Sequence, residues 1–364
     1  MRELIQNGFD SYANNVYMEI NIPENYIKIV DDGVGMNDYV ITNHYANVGM
    51  STKQKDLSAF PQVPKNLNSK RPQIGKKGMG KLSWILVAKK QETITTCIDT
   101  PYSINVKFDA NNLQEYDEPT HTNKHTDHGT TVILRDLQIT DITQKDINEF
   151  TNTTGFLHTA FNEFNIILSI TSPSIKISNQ KIIKVLAEGY QFNNNGIHEY
   201  EEIKMIDNKF TIIKKESVPY NFVFRLPNID SKNISEFWLL SRHMGVKTPV
   251  AFKGFSGYLN IDNIELVANR NDIQTGEQIK LREIETLVIN YLINEFEKMY
   301  LNNKMEHDVF VYLDLNQSQI MNMIYYNNQS AKQSKILGKY LQFDFYGEGL
   351  KRPINYLKTE NNGT

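Results

Sequence analysis

The chain has 364 residues, room for about two domains of ordinary size. Its composition, 40% hydrophobic, 22% charged and 11% aromatic, is that of a folded globular protein and excludes a disordered or fibrous one. A net charge of −3 supplies no general attraction to phosphate backbones, so binding of nucleic acid would need a local basic patch. No apolar run approaches the roughly 20 residues that cross a bilayer, so no membrane is expected. The opening segment does not read as a secretion signal, and the single cysteine, Cys97, has no disulfide partner. Together these lead us to expect a cytoplasmic protein.

In chain order, Leu4, Ile5, Phe9, Tyr12 and Ala13 recur at helical spacing, predicting a helix over residues 2–14 with Glu3, Asn7 and Asp10 on its polar side. Residues 16–22 and 26–30 read as a hairpin around a Pro-Glu-Asn turn. A glycine-containing turn follows at 31–36, then a short helix at 38–48. Between 49 and 71 the periodicity is lost and Ser, Lys, Gln, Asn and Pro accumulate, as in a long functional loop. The glycine cluster at 75–80 leads into a predicted helix at 81–89, and 92–108 supply two strands. After a polar excursion at 109–128 come a strand at 130–134, a helical stretch at 141–161, and strands over 166–185 around an Asn-Gln turn. The Gly- and Asn-rich segment 189–196 reads as the domain boundary.

Beyond it, strands at 201–206, 210–214, 222–226 and 257–261 and a helix at 278–300 predict a second α/β domain over 197–305. Residues 306–364 are assigned a helical extension. His121, His125 and His128 share one polar loop, and without further ligands nearby a solvated loop is expected rather than a metal site. Trp84, Trp238 and the Tyr325-Tyr326 pair read as core or interface residues.

Three segments carry candidate chemistry. Glu3, Asn7 and Asp10 project from one side of a helix, where a carboxylate can activate water beside an amide that holds a metal; alone, such spacing also marks a solvated face. Asp31-Asp32-Gly33-Val34-Gly35-Met36 follows a strand, and its glycines let the backbone turn sharply beside a carboxylate able to accept the exocyclic amine of adenine. An ordinary Asp-Gly turn is the plain alternative. Gly75-Lys76-Lys77-Gly78-Met79-Gly80-Lys81 precedes a predicted helix and suits a triphosphate, although it is not a Walker loop.

The order of these motifs, Glu-x3-Asn-x2-Asp, Asp-x-Gly-x-Gly-Met, a lid-like loop, Gly-x2-Gly-x-Gly and Gly129-Thr130-Thr131-Val132, resembles the GHKL ATPase superfamily of DNA gyrase, the heat-shock chaperone, histidine kinases and MutL. The resemblance implies a Bergerat-type two-layer α/β sandwich, a mixed sheet with helices on one face, over residues 1–188, with ATP and Mg2+ as its ligands. It implies Glu3 as general base, Asn7 as magnesium ligand, Asp31 at adenine, and Gly33, Gly35 and Met36 around the pocket. Gly75, Gly78 and Gly80 would cradle the phosphates, and Thr130 would support Asp31. Asp10, Lys53, Lys77, Met79 and Lys81 are further candidates to bind the nucleotide, and residues 49–80 would form the lid.

Residues 255–259 and 266–274 look like the S5-like transducer of the heat-shock chaperone and of MORC ATPases, which implies that Arg270 senses the γ-phosphate; Lys247 and Lys253 are rivals, and a surface arginine is the plain reading. Histidine kinases carry a phosphoacceptor histidine ahead of the pocket, and Glu3 stands too near the start for one. The same position is consistent with a truncated start. The expectation is thus an ATP-hydrolysing switch acting on a macromolecular partner, with an ATP-dependent homodimer. The alternatives are an ATP-gated module that does not hydrolyse, and a DNA-handling clamp of repair or antiviral defence.

Overall fold

The computed structural model describes residues 1–46, 71, 80–112, 118–123, 127–186, 188–206, 209–227, 236–246, 256–267, 272–301, 342–344 and 351–353. The chain divides into two compact units, Met1–Lys184 and Val185–Thr364.

The first unit is built on an eight-stranded sheet of order β5-β4-β3-β6-β2-β1-β7-β8. Its strands are β1 (Asn15–Asn21), β2 (Tyr26–Asp31), β3 (Ala88–Thr96), β4 (Tyr102–Asp109), β5 (Thr120–Asn123), β6 (Gly129–Leu137), β7 (Asn165–Thr171) and β8 (Lys176–Lys181). All neighbours are antiparallel except β1 and β7. The helices are α1 (Arg2–Asp10), α2 (Asp38–Val40), α3 (Gln144–Thr154) and α4 (Phe156–Ala160), with a π-helical turn at Ile41–Tyr45 and a 3-10 helix at Gly80–Leu86.

Side chains alternate between the faces of a strand. Val16, Met18 and Ile20, Ile27 and Ile29, and Ile166, Leu168 and Ile170 are all buried, whereas Tyr17 and Glu19 between them are exposed. Among the described residues one face of the sheet is thus the covered one, as in the two-layer sandwich of a Bergerat-type fold. Helix α1 lies on that face with Leu4, Ile5 and Phe9 inward. Phe9 meets the rings of Phe161 and Phe164 at 4.9 and 5.1 Å, and the buried Arg71 guanidinium lies over both Phe9 and Phe164, 5.2 and 5.6 Å from their centroids. Arg71 also donates to the carbonyl of Ala13 and to Asn14 Oδ1.

Several expectations are corrected. Helix α1 ends at Asp10, because Tyr12 takes a positive φ of 63° and turns the chain toward β1. The predicted helix at 81–89 is a 3-10 helix that stops at Leu86, since the chain must enter the sheet at Ala88, which pairs with Leu137. The polar excursion contains β5. Asn179-Gln180 is not a turn but lies inside β8, where Asn179 has a positive φ of 48° beside a register irregularity; the turn is at Ser172, whose amide donates to the Ile175 carbonyl.

The second unit has a five-stranded sheet of order β12-β11-β13-β10-β9, comprising β9 (Gly189–Ile206), β10 (Lys209–Pro227), β11 (Phe237–Ser241), β12 (Met244–Gly245) and β13 (Ser256–Ile261). Helix α5 (Gln278–Leu301) contributes Leu281, Ile284, Val288, Ile289 and Leu292 to a core with Phe222, Phe224, Phe237, Leu239 and Leu259. Gly189 to Gly196 is the start of the long strand β9 rather than a linker, because its Asn residues pair across to Val223, Phe222 and Asn221. Among the described residues no helix separates the strands ahead of α5, where alternation was expected. In the tail, the described residues are a small antiparallel pair, β14 (Gln342–Asp344) with β15 (Lys351–Pro353), where helices were expected. No helix among the described residues is long and apolar enough to cross a membrane.

Truncating Phe9 removes the ring on which Phe161, Phe164 and Arg71 converge. Phe9→Ala should lower unfolding stability by about 3–5 kcal/mol, read as a shift of the urea midpoint at constant m.

Candidate functional site

The site begins with strand register. Val16 of β1 pairs with Asp31 of β2, Asp31 with Thr130 of β6, and Thr130 with Thr95 of β3. These four residues form one row across the covered face, at the end of β2 where the chain leaves the sheet. Two of the three polar members, Asp31 and Thr130, belong to separate sequence motifs.

Asp31 and Asp32 have different tasks. Asp32 Oδ1 accepts from the amides of Asn14 and Asn15 at 2.7 and 2.8 Å, and Oδ2 from Asn15 Nδ2 at 2.7 Å, so it locks the α1–β1 connection to the end of β2. Asp31 Oδ1 accepts from the Gly33 amide at 3.0 Å and, more weakly, from Ser11 Oγ at 3.4 Å, and the Thr130 amide also donates to its carboxyl. Burial lifts the Asp31 carboxyl to about 6, with the neighbouring charge of Asp32 adding to it, against the pull of those hydrogen bonds. Asp31 is thus the enclosed carboxyl of the two.

The glycines around it are sites of close approach. Gly35 sits at a φ of 70°, and a Cβ there would lie 2.0 Å from the Thr96 carbonyl oxygen; at Gly33 it would meet Ser11 Oγ at 2.1 Å. Gly8 of α1 seats the helix on the sheet, since a Cβ would come 2.7 Å from Val16 Cγ2 and 3.3 Å from Asp31 Cβ. Asn7, next to Gly8, is exposed, while Glu3 and Asp10 are half-buried. The first and second motifs are brought together by this contact. Met36 donates its amide to Thr95 Oγ1 at 2.9 Å, and its side chain packs on the cluster of Ile41, Ile104 and Val106. Thr130 Oγ1 lies 3.1 Å from Thr95 Oγ1.

Gly80 opens the 3-10 helix, and Lys81 follows within it. Lys53, Gly75, Lys77, Gly78, Met79 and Arg270, together with the rivals Lys247 and Lys253, His125, Tyr325 and Tyr326, lie outside the described residues. The segment 268–271 that contains Arg270 is flanked by a bridge between Leu266 and Ile273.

Sequence reading missed Ser11, Thr95 and His128. His128 Nδ1 is 2.6 Å from the carbonyl oxygen of Gly33, so it braces the glycine turn. His121 Nε2 instead pairs with Asp38 Oδ1 at 2.6 Å, beside the Tyr102 hydroxyl that donates to Asp38 Oδ2 at 2.5 Å. The two histidines hold separate partners, β5 with His121 being exposed along its length, and no group of three or more metal-binding side chains occurs among the described residues. Trp84 is buried in the first unit; Trp238 is half-buried and donates to Glu236.

An enclosed carboxyl, the Thr130 backbone and hydroxyl beside it and a turn whose backbone leaves no room for a Cβ thus meet at the end of β2. Residues 1–140 match the family model described as histidine kinase-, DNA gyrase B- and HSP90-like ATPase, so this part of the chain is similar to the ATP-binding domains of that class. No curated protein matches the chain.

A carboxyl whose folded value is raised stabilises the fold only while protonated, below the unfolded value near 3.8, and that contribution is lost as pH rises through about 6. The domain therefore carries a buried charge at neutral pH. Asp31→Asn should raise the melting temperature of the ligand-free protein at pH 7.5, by up to about 3 kcal/mol of stability, with the difference shrinking toward pH 5. The same variant should no longer be stabilised by ATP in a thermal-shift titration.

Proposed function

We propose that the first unit binds ATP with Mg2+ and hydrolyses it. The observation that carries this reading is the seating of α1 by Gly8 directly against Asp31, which sets the Glu3–Asn7 helix beside the enclosed carboxyl. Asp31 accepts the exocyclic amine of adenine, with the Thr130 hydroxyl at its side, while the Gly33–Gly35 turn lies against the base. Asn7 offers an exposed amide oxygen, the hard neutral donor that magnesium accepts alongside phosphate oxygens and water. When bound, the metal neutralises phosphate charge.

Glu3, on the same helix, takes a proton from the attacking water. The water oxygen bonds to the γ-phosphorus as the bond to the β,γ-bridging oxygen breaks, and ADP leaves with that electron pair. In this reading the second unit is the transducer, and the nucleotide state governs homodimerisation and action on a macromolecular partner.

Glu3→Gln keeps the shape and removes the base. Phosphate release should fall at least about 100-fold while ATP affinity stays within about threefold. Unchanged turnover in a variant that still binds ATP would overturn the assignment of Glu3, and absence of ATP binding by the wild-type chain would overturn the whole reading.

A further inference from the structure

Strand β3 presents Gln91, Thr93 and Thr95 in succession to the covered face, and all three are buried. On β1, β2 and β7 the equivalent alternation is aliphatic, and in the Thr95 row the flanking residues are Ile104 and Val16. A valine would satisfy packing there. A buried hydroxyl is favoured only where its hydrogen bonds repay its desolvation.

Gln91 and Thr93 are engaged with each other and with the Tyr45 hydroxyl, which lies 2.9 Å from Thr93 Oγ1 and accepts from Gln91 Nε2 at 2.7 Å. Thr95 is engaged differently. Its oxygen accepts the Met36 amide at 2.9 Å, and its hydroxyl lies 3.1 Å from Thr130 Oγ1 and 3.2 Å from the Gly129 carbonyl oxygen. One side chain thus ties the end of the Asp31–Met36 turn to the start of β6.

We infer that Thr95 is a positioning residue for the nucleotide: its hydroxyl joins the Met36 amide to the Thr130 hydroxyl and so fixes the two walls between which the base is held. The inference rests on the ATP-binding reading above. A hydroxyl carries one proton and can accept two hydrogen bonds. With one acceptor position occupied by Met36, the remaining proton and acceptor position fall to Gly129 and Thr130. Thr95 therefore determines whether the Thr130 hydroxyl presents its proton or its oxygen beside Asp31. Thr95 touches neither phosphate nor the attacking water in this scheme, so its loss belongs in binding and not in the chemical step.

Thr95→Val keeps the shape and deletes the hydroxyl. Isothermal titration with Mg2+ and ATP should show a Kd raised about tenfold relative to wild type, with kcat at saturating ATP within about twofold. Thr95→Ser should restore the affinity to within about twofold of wild type. Three results would overturn the inference: equal affinity of wild type and Thr95→Val, a fall in kcat as large as the rise in Kd, or a serine variant as weak as the valine one. Should Thr95→Val not fold, Thr95→Ala is measured against the same limits. A wild-type chain that does not bind ATP at all sinks the ATP-binding reading itself, an outcome separable from failure of the variants alone.

Discussion

The enclosure of the Asp31 carboxyl at the end of β2 is the constraint from which the rest of the site follows. A charge in that position is tolerated only when several donors converge on it, and the fold supplies them from three directions: the Gly33 amide from the following turn, Ser11 from the end of α1, and Thr130 from β6. Each donor fixes one element. The helix cannot slide without moving Ser11, nor the turn without moving Gly33. Gly8, Gly33 and Gly35 are the complement of this arrangement, because each allows backbone to come within a distance that a Cβ would forbid.

Much of this was legible from residue order, and the reason is local. The amphipathic run of α1, the hairpin of β1 and β2 and the Asp-x-Gly-x-Gly turn are encoded within short windows, where periodicity and turn chemistry act directly. The choice of Asp31 over Asp32 came from the motif, and the hydrogen bonds give its cause: backbone amides of Asn14 and Asn15 consume Asp32. Thr95 was not legible, since its partners lie 59 and 35 positions away and only strand pairing brings them together. A faint sign was present in the polar alternation of Gln91, Thr93 and Thr95, unusual for a strand with its other neighbours so apolar. The start of β9 misled for the opposite reason. Its Gly and Asn residues have linker composition, yet the long cross-strand pairing with β10 overrides local propensity.

The histidines show how one composition can conceal two roles. His121 and His128 lie in the same polar excursion and look alike in sequence, but one pairs with Asp38 at the start of α2 and the other with the Gly33 carbonyl of the second motif. Both contacts hold the segment between Asp31 and Asp38 against the β4–β6 side of the sheet.

Ionised Asp31 weighs against the fold that buries it, because burial disfavours its charge more than the surrounding donors offset. Tyr45, whose hydroxyl is pushed up to about 12 by burial with the Asp31 charge contributing, remains neutral around pH 7 and adds no second charge near Asp31. On the proposed reading, a base that brings a donor to Asp31 and an apolar face to Met36 stabilises the fold that receives it. A protonated Asp31 is a different partner, since its added proton makes it a donor as well as an acceptor. If Asp31 receives the base as proposed, nucleotide affinity and fold stability share one titrating group, and pH moves them in opposite senses around 6.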